Sequence, residues 1–233
     1  LASVVIPPSV TSIGSHAFFY CTSLASVEIP SSVASIGSSA FSGCTSLASG
    51  SFGGLSWALD GGALSVSGEG PLPGYADEVW AARKGEIASV SLGQGVTSIG
   101  EGAFSGCSNL TSVSLNTIVS LPNAVFSGCS NLTSIYIPAI QYIGDYTFCK
   151  CGISSLSLSS VQLSDNAFAI CSNLSSVNLI DCSIGSSVFR NCSRLTAISL
   201  TNCNINYRAF AECSNLRTIQ WSSCTLAGSE IFA

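Results

Sequence analysis

Residues 32–47 read SVASIGSSAFSGCTSL, and almost the same phrase stands at 9–24 as SVTSIGSHAFFYCTSL and at 95–110 as GVTSIGEGAFSGCSNL. Its anchor is a phenylalanine followed three residues later by a cysteine. That pair recurs as Phe18/Cys21, Phe41/Cys44, Phe104/Cys107, Phe126/Cys129, Phe148/Cys151, Phe168/Cys171, Phe189/Cys192 and Phe210/Cys213, with Phe232 in register at the end. Apart from one long interval, successive phenylalanines lie 20 to 23 residues apart. A period of that length indicates a solenoid of stacked coils, in which each unit buries its apolar side only against its neighbours.

One coil, Leu24 to Leu47, shows the local logic. Leu24, Val27 and Ile29 open it, and the last two share one face of a strand because side chains alternate there. Pro30 ends the strand by removing a donor. Val33 and Ile36 follow, with Gly37 predicted at a turn of positive φ. Ser38 to Cys44 then predicts a short helical or 3₁₀ turn carrying one inserted aromatic. The strand triplet returns as Leu110/Val113/Leu115, Leu132/Ile135/Ile137, Ile153/Leu156/Leu158, Leu174/Val177/Leu179, Leu195/Ile198/Leu200 and Leu216/Ile219/Trp221. The expected fold is therefore an α/β-type solenoid, with one short parallel strand and one short helical turn per coil. If Phe168 sits under the strands as expected, Phe168→Ala costs about 3–5 kcal/mol, and an unchanged melting point would refute that placement.

The Ile-Gly-x-x-Ala-Phe-x-x-Cys core of the three quoted phrases resembles the BspA-like leucine-rich repeats of bacterial surface proteins, which also occur in some protozoa. The resemblance covers nearly the whole chain outside residues 48–86. Later coils depart from it by losing the proline and shortening to 21 residues. It implies a right-handed leucine-rich-repeat array displayed outside the cell and, for some members, adhesion to host matrix proteins. It brings no catalytic residues and no cofactor.

Composition narrows the function. Hydrophobic residues make up 47% of the chain and charged ones only 8%, yet serine, about a fifth of the residues, breaks up the apolar runs. None of these runs reaches the roughly 20 residues that span a bilayer. A net charge of −5 with seven Lys and Arg argues against nucleic acid and anionic lipid, both of which need a basic surface. A single histidine, His16, few lysines and scattered carboxylates give no nucleophile–base pair and no carboxylate dyad, so no enzyme is expected. Leu1 begins in mid-rhythm and Phe232 ends in register, which reads as a piece of a longer cell-surface protein whose anchor lies elsewhere.

Twelve cysteines raise disulfides and metal. Eight hold the Phe-x-x-Cys position, and Cys182, Cys203 and Cys224 replace the Ile or Val found at Ile118, Ile140 and Val161. They read as small buried hydrophobes with free thiols, although bridges between adjacent coils stay open in an oxidising compartment. Metal is not expected, since paired Cys-x-x-Cys motifs are absent. Cys149, outside both columns, is the candidate exposed thiol, beside the alternative of a tolerated surface substitution. The triplets at Asn109, Asn131 and Asn173 match a glycosylation sequon, but they recur with the repeat and are expected to bond backbone at a coil corner.

The rhythm divides the chain into an end of a first array at 1–47, a break at 48–86 and a main array at 87–233. Within the break, Leu55, Trp57 and Leu59 alternate, Asp60-Gly61-Gly62 turns, and Leu64 and Val66 alternate back, predicting a β-hairpin. Asp77 is expected to cap a short helix running to Lys84 and closed by Gly85. The segment reads as a cap or wedge over a coil end. The competing reading makes Trp57, Tyr75 and Trp80 a sugar-stacking platform with Asp60, Glu69, Asp77 or Glu78 as polar partners.

The outward strand column runs Val5, Glu28, Ser91, Ser114, Tyr136, Ser157, Asn178, Ser199, Gln220. It is polar and nearly uncharged, which suits shallow hydrogen-bonded contact with an extracellular protein or glycan. Glu28, Tyr136, Asn178 and Gln220 are the candidate contacts, with Tyr142, Tyr146 and Tyr207 as further aromatics. The function expected is an adhesion module. The alternatives are a stiff structural spacer that displays another domain, and glycan binding by the 48–86 segment.

Overall fold

The structure is a computed structural model and describes residues 1–74 and 76–233. The coils stack in register. Val4 lies opposite Val27, Val90 opposite Val113, Val177 opposite Ile198, and Ile198 opposite Ile219. All of these pairings are parallel, as a one-way solenoid requires. A second set of two-residue strands lines another side, running Ser120–Leu121, Tyr142–Ile143, Gln162–Leu163, Ser183–Ile184, Asn204–Ile205 and Thr225–Leu226. A single core runs through the array, from Ile6 to Ile231.

The phenylalanines form its axis. Phe104, Phe126, Phe148, Phe168, Phe189, Phe210 and Phe232 stack one above another, with centroids 5.1–5.7 Å apart and planes within 16°. The rings from Phe104 to Phe189 are wholly buried. The cysteine thiols along this column donate to phenylalanine carbonyls on the preceding coil. Cys129 Sγ reaches Phe104 O at 3.4 Å, Cys151 reaches Phe126 O at 3.1 Å, and Cys171 reaches Phe148 O at 3.1 Å. The same carbonyl also accepts the backbone N–H of its own coil's cysteine, as Cys151 N to Phe148 O at 3.2 Å. Cysteine is thus a small apolar residue that also caps a buried acceptor.

The expected helical turns are not present in the coils. The phenylalanine of each Phe-x-x-Cys pair lies instead between two residues of positive φ, two before it and two after. Tyr146 (57°) and Lys150 (60°) flank Phe148, and Asn166 (58°) and Ile170 (60°) flank Phe168. Left-handed residues cannot propagate a right-handed helix. The chain therefore makes a run of tight turns, such as Cys44 N to Phe41 O at 3.1 Å, alternating with bonds to the next coil, such as Phe148 N to Ala167 O at 2.8 Å. Gly37 has no positive φ. A Cβ there would fall 2.4 Å from Ser15 N on the preceding coil, so its glycine permits close approach of two backbones.

The long interval is spliced into the sheet and does not form a separate hairpin-plus-helix unit. Ser49–Phe52 pairs parallel with Ser26–Ile29 and antiparallel with Leu55–Asp60. Leu55–Asp60 turns through Gly61 (φ 51°) and Gly62 (φ 87°) to pair antiparallel with Ala63–Gly68, which pairs parallel with Ser89–Leu92. Two antiparallel steps restore the original strand direction, so one seven-stranded sheet runs from Ser3 to Ser114. The helix is shorter than expected: Ala76–Val79 is one α-turn, and a 3₁₀ segment, Ala81–Glu86, follows. Asp77 lies inside that turn and not at its cap, and Gly85 lies inside the 3₁₀ segment without positive φ. Trp80, between them, stacks on Phe104 at 5.7 Å and 5°, and its Nε1 donates to Ala103 O at 2.9 Å. It extends the ring column across an interval that has no phenylalanine in the repeat position.

Candidate binding face

The strands Ser155–Ser159, Ser176–Ile180, Ala197–Thr201 and Thr218–Ser222 form a four-stranded parallel sheet. Alternation sends Val177, Leu179, Ile198 and Leu200 inward and leaves Ser157, Asn178, Ser199 and Gln220 on the outer face. Their backbones are in direct register, Ser157 with Asn178, Asn178 with Ser199, and Ser199 with Gln220. Asn178 Nδ2 points along this row to Ser157 Oγ at 3.4 Å. A shallow concavity of about 520 Å³ lies over them, and no charged side chain lines it. Such a surface offers hydroxyl and amide groups that donate and accept, without electrostatic capture.

The other two candidates on this face stand apart from that row. Glu28 is exposed in the seven-stranded sheet, opposite Val5 and Ser51. Tyr136, 80% exposed, lies in neither sheet. The further tyrosines do not join the face. Tyr142 accepts from Ser164 Oγ at 3.0 Å on the side of the two-residue strands. Tyr146 belongs to the left-handed column beside Phe148, and Tyr207 lies under the Arg208 guanidinium, 5.2 Å from its ring centre.

The sugar-stacking platform is corrected by burial. Trp57 and Trp80 are 3% and 1% exposed and pack edge to face with centroids 5.9 Å apart, so neither ring can receive a ligand. Tyr75 lies outside the described residues, as does the Asp77 side chain. Glu78 accepts the Ser39 N–H at 2.9 Å, tying the segment to the first array, while Asp60 and Glu69 are exposed. Alternation along Leu55–Asp60 already puts Trp57 with Leu55 and Leu59 on the inward face, which is the signal that a core role leaves in the sequence.

All twelve cysteines are free thiols, and nine of them are buried. Burial pushes the Cys129, Cys151, Cys171 and Cys192 thiols well up. Cys149 is 6% exposed, not the open thiol its position suggested, and burial raises it too, with Lys150 opposing. A raised thiol is protonated and a poor nucleophile. Of the sequon asparagines, Asn109 donates to Gly85 O at a coil corner, whereas Asn131 bonds Asn109 and Asn173 accepts from Arg194. Among the described residues no cluster of His, Cys, Asp or Glu is arranged to hold a metal ion, and no helix is long and apolar enough to cross a membrane.

The architecture has solved counterparts. A leucine-rich repeat protein from Bacteroides ovatus superposes with a TM-score of 0.60 at 24% identity, covering 99% of this chain and 72% of that one. A leucine-rich cell surface protein from Faecalibacterium prausnitzii aligns at 22% identity and a TM-score of 0.40, covering 95% of this chain and 60% of its own. The first likeness carries the stacked-coil fold. No curated protein matches the chain. The model of the BspA type leucine rich repeat region matches in six copies, over residues 1–56, 82–175 and 119–233. Together with the ring column and the in-register strands, that match means the chain belongs to the BspA-type leucine-rich repeat family.

Proposed function

We propose that this chain is an extracellular binding module that holds a host or neighbouring-cell macromolecule against its outer sheet face. The observation that carries the reading is the aligned row Ser157, Asn178, Ser199 and Gln220 beneath an uncharged concavity of about 520 Å³. Four strands fix the spacing of these groups, so a partner meets a rigid hydrogen-bonding surface. Display outside the cell fits the resemblance of the repeats to those of bacterial surface proteins. Binding by the full chain to arrayed matrix proteins and glycans should fall when Asn178→Ala and Gln220→Ala are combined. Unchanged binding would remove this face.

A spacer role is the second reading, and the unbroken ring stack from Trp80 to Phe232 favours it. Such a stack makes a stiff rod, in which length is set by repeat number. A wild-type chain that binds nothing on the array, while a neighbouring domain of the same gene product does, would favour the spacer.

A further inference from the structure

The outer sheet is broken at one coil. Leu132, Ile137 and Ile140 keep their places in the core. Ser134 to Ile137, however, make no backbone hydrogen bond to either neighbouring coil among the described residues. Ser112–Ser114 therefore ends the seven-stranded sheet and Ser155–Ser159 begins the four-stranded one, each with one edge open toward the break. Tyr136 stands in the gap with its ring in solvent. Pro138 and Ile137 border a hollow on each side of it, one of about 270 Å³ toward Ser114 and Asn116 and one of about 180 Å³ toward Ser155 and Ser157.

We propose that this break is a binding subsite for one unit of an uncharged saccharide, stacked on the Tyr136 ring and held by the open backbone groups and the flanking serine hydroxyls. The inference deepens the binding-face reading and rests on it. Three features select the ligand. No charged side chain lines either hollow, so neither anionic nor cationic groups are favoured there. Unpaired N–H and C=O groups beside serine hydroxyls supply donors and acceptors together, matching sugar hydroxyls that are both. An exposed tyrosine offers an apolar ring face on which the C–H face of a sugar ring can stack.

A peptide added as an extra strand fits less well. A new strand needs about 4.8 Å of sheet, yet the rings through this region keep centroid spacings of 5.6, 5.5 and 5.1 Å. The small strands Ser120–Leu121, Tyr142–Ile143 and Gln162–Leu163 also stay paired across it. The coils are locked on the far side and cannot part to admit a strand.

The test is amide NMR titration of the full chain with maltohexaose, cellohexaose, mannohexaose and chitohexaose, beside a heparin hexasaccharide and an extended hexapeptide. At least one neutral oligosaccharide should shift the amides of Ser134 to Ile137 and Ser155 to Ser159. Tyr136→Ala should weaken that binding about tenfold, while Tyr136→Phe keeps it. Because the side chain is in solvent, an unchanged melting temperature checks that Tyr136→Ala still folds. No shift with any neutral oligosaccharide, binding indifferent to Tyr136→Ala, or response only to heparin or the peptide would each overturn the proposal. If protein partners still bind in an Asn178- and Gln220-dependent way while no neutral sugar does, the saccharide subsite falls and the binding face stands.

Discussion

At the scale of single residues, the coil is governed by two columns that the hydrophobic pattern does not mark. Positions two before and two after the phenylalanine of each Phe-x-x-Cys pair are left-handed, yet they carry Tyr, Lys, Ile, Arg and Glu as well as Gly and Asn. Only Gly43, Gly102, Gly106 and Gly128, with Asn166 and Asn191, leave a signal in the sequence. Elsewhere the stacked bonds of neighbouring coils hold the conformation against its cost, about 1–2 kcal/mol for an ordinary side chain. Ile170 is the severest case, because it is branched at Cβ, has φ 60° and is 40% exposed. Ile170→Gly should raise the urea midpoint, by up to about 1 kcal/mol in stability. A lowered midpoint would mean that its packing outweighs the strain. The thiols make a second prediction. Burial pushes Cys213 from 9.0 up to about 11 and the more deeply buried thiols further in the same direction. The unfolded chain then releases protons first, so the thiols' contribution is complete below about pH 9 and declines as pH rises through the folded values. The melting temperature should fall above pH 9, and less steeply in Cys151→Ala. In native protein at pH 8, a thiol reagent should reach at most the partly exposed Cys21, Cys213 and Cys224.

At the scale of elements, the strand triplets were readable because alternate burial leaves its own period in the sequence. The same triplet misleads at Leu132/Ile135/Ile137, where the apolar residues still enter the core but the backbone leaves the ladder. Side-chain pattern reports burial and says nothing about whether a neighbour's carbonyls are in reach. Just beyond, the corner Cys151-Gly152-Ile153 has one residue fewer than Cys129-Ser130-Asn131-Leu132. Gly152 fits there because a Cβ would meet Ser130 O at 2.2 Å. The shortened corner and Pro138, which has no N–H, both lie next to the break. Amides without a partner exchange readily. Hydrogen exchange should therefore be faster at Ser134 to Ile137 than at Val177 to Leu179, which sit between two paired neighbours. Equal protection would show that the ladder closes in solution. The candidate contacts follow the same division: Asn178 and Gln220 were legible from alternation, while the isolation of Tyr136 was not.

At the scale of the molecule, stability in a stack is passed from neighbour to neighbour, so one weak interface can divide the array into two folding units. The interval between Phe41 and Phe104 is the obvious place, and the break in the repeat suggests a cap or wedge there. Two features oppose a division. The antiparallel pair Leu55–Asp60 and Ala63–Gly68 keeps the sheet continuous, and Trp80 supplies the missing ring. Arg83 Nη1 also donates to Leu47 O, and the Ser39 N–H, donating to the Glu78 carboxylate, closes the same seam. Trp57, by contrast, has a buried Nε1 with no hydrogen-bond partner among the described residues, a polar cost that Trp80 avoids through Ala103. If Trp80 is the joint, Trp80→Ala removes a wholly buried ring and costs about 3–5 kcal/mol. The loss falls on the interface and not evenly along the array. Urea unfolding followed by circular dichroism should then change from one transition to two, with Phe104 to Phe232 melting apart from the earlier coils. Trp80→Phe keeps the stack and loses only the bond to Ala103, so it should retain a single transition at a lower midpoint. One cooperative transition in Trp80→Ala would show that the sheet alone couples the two ends.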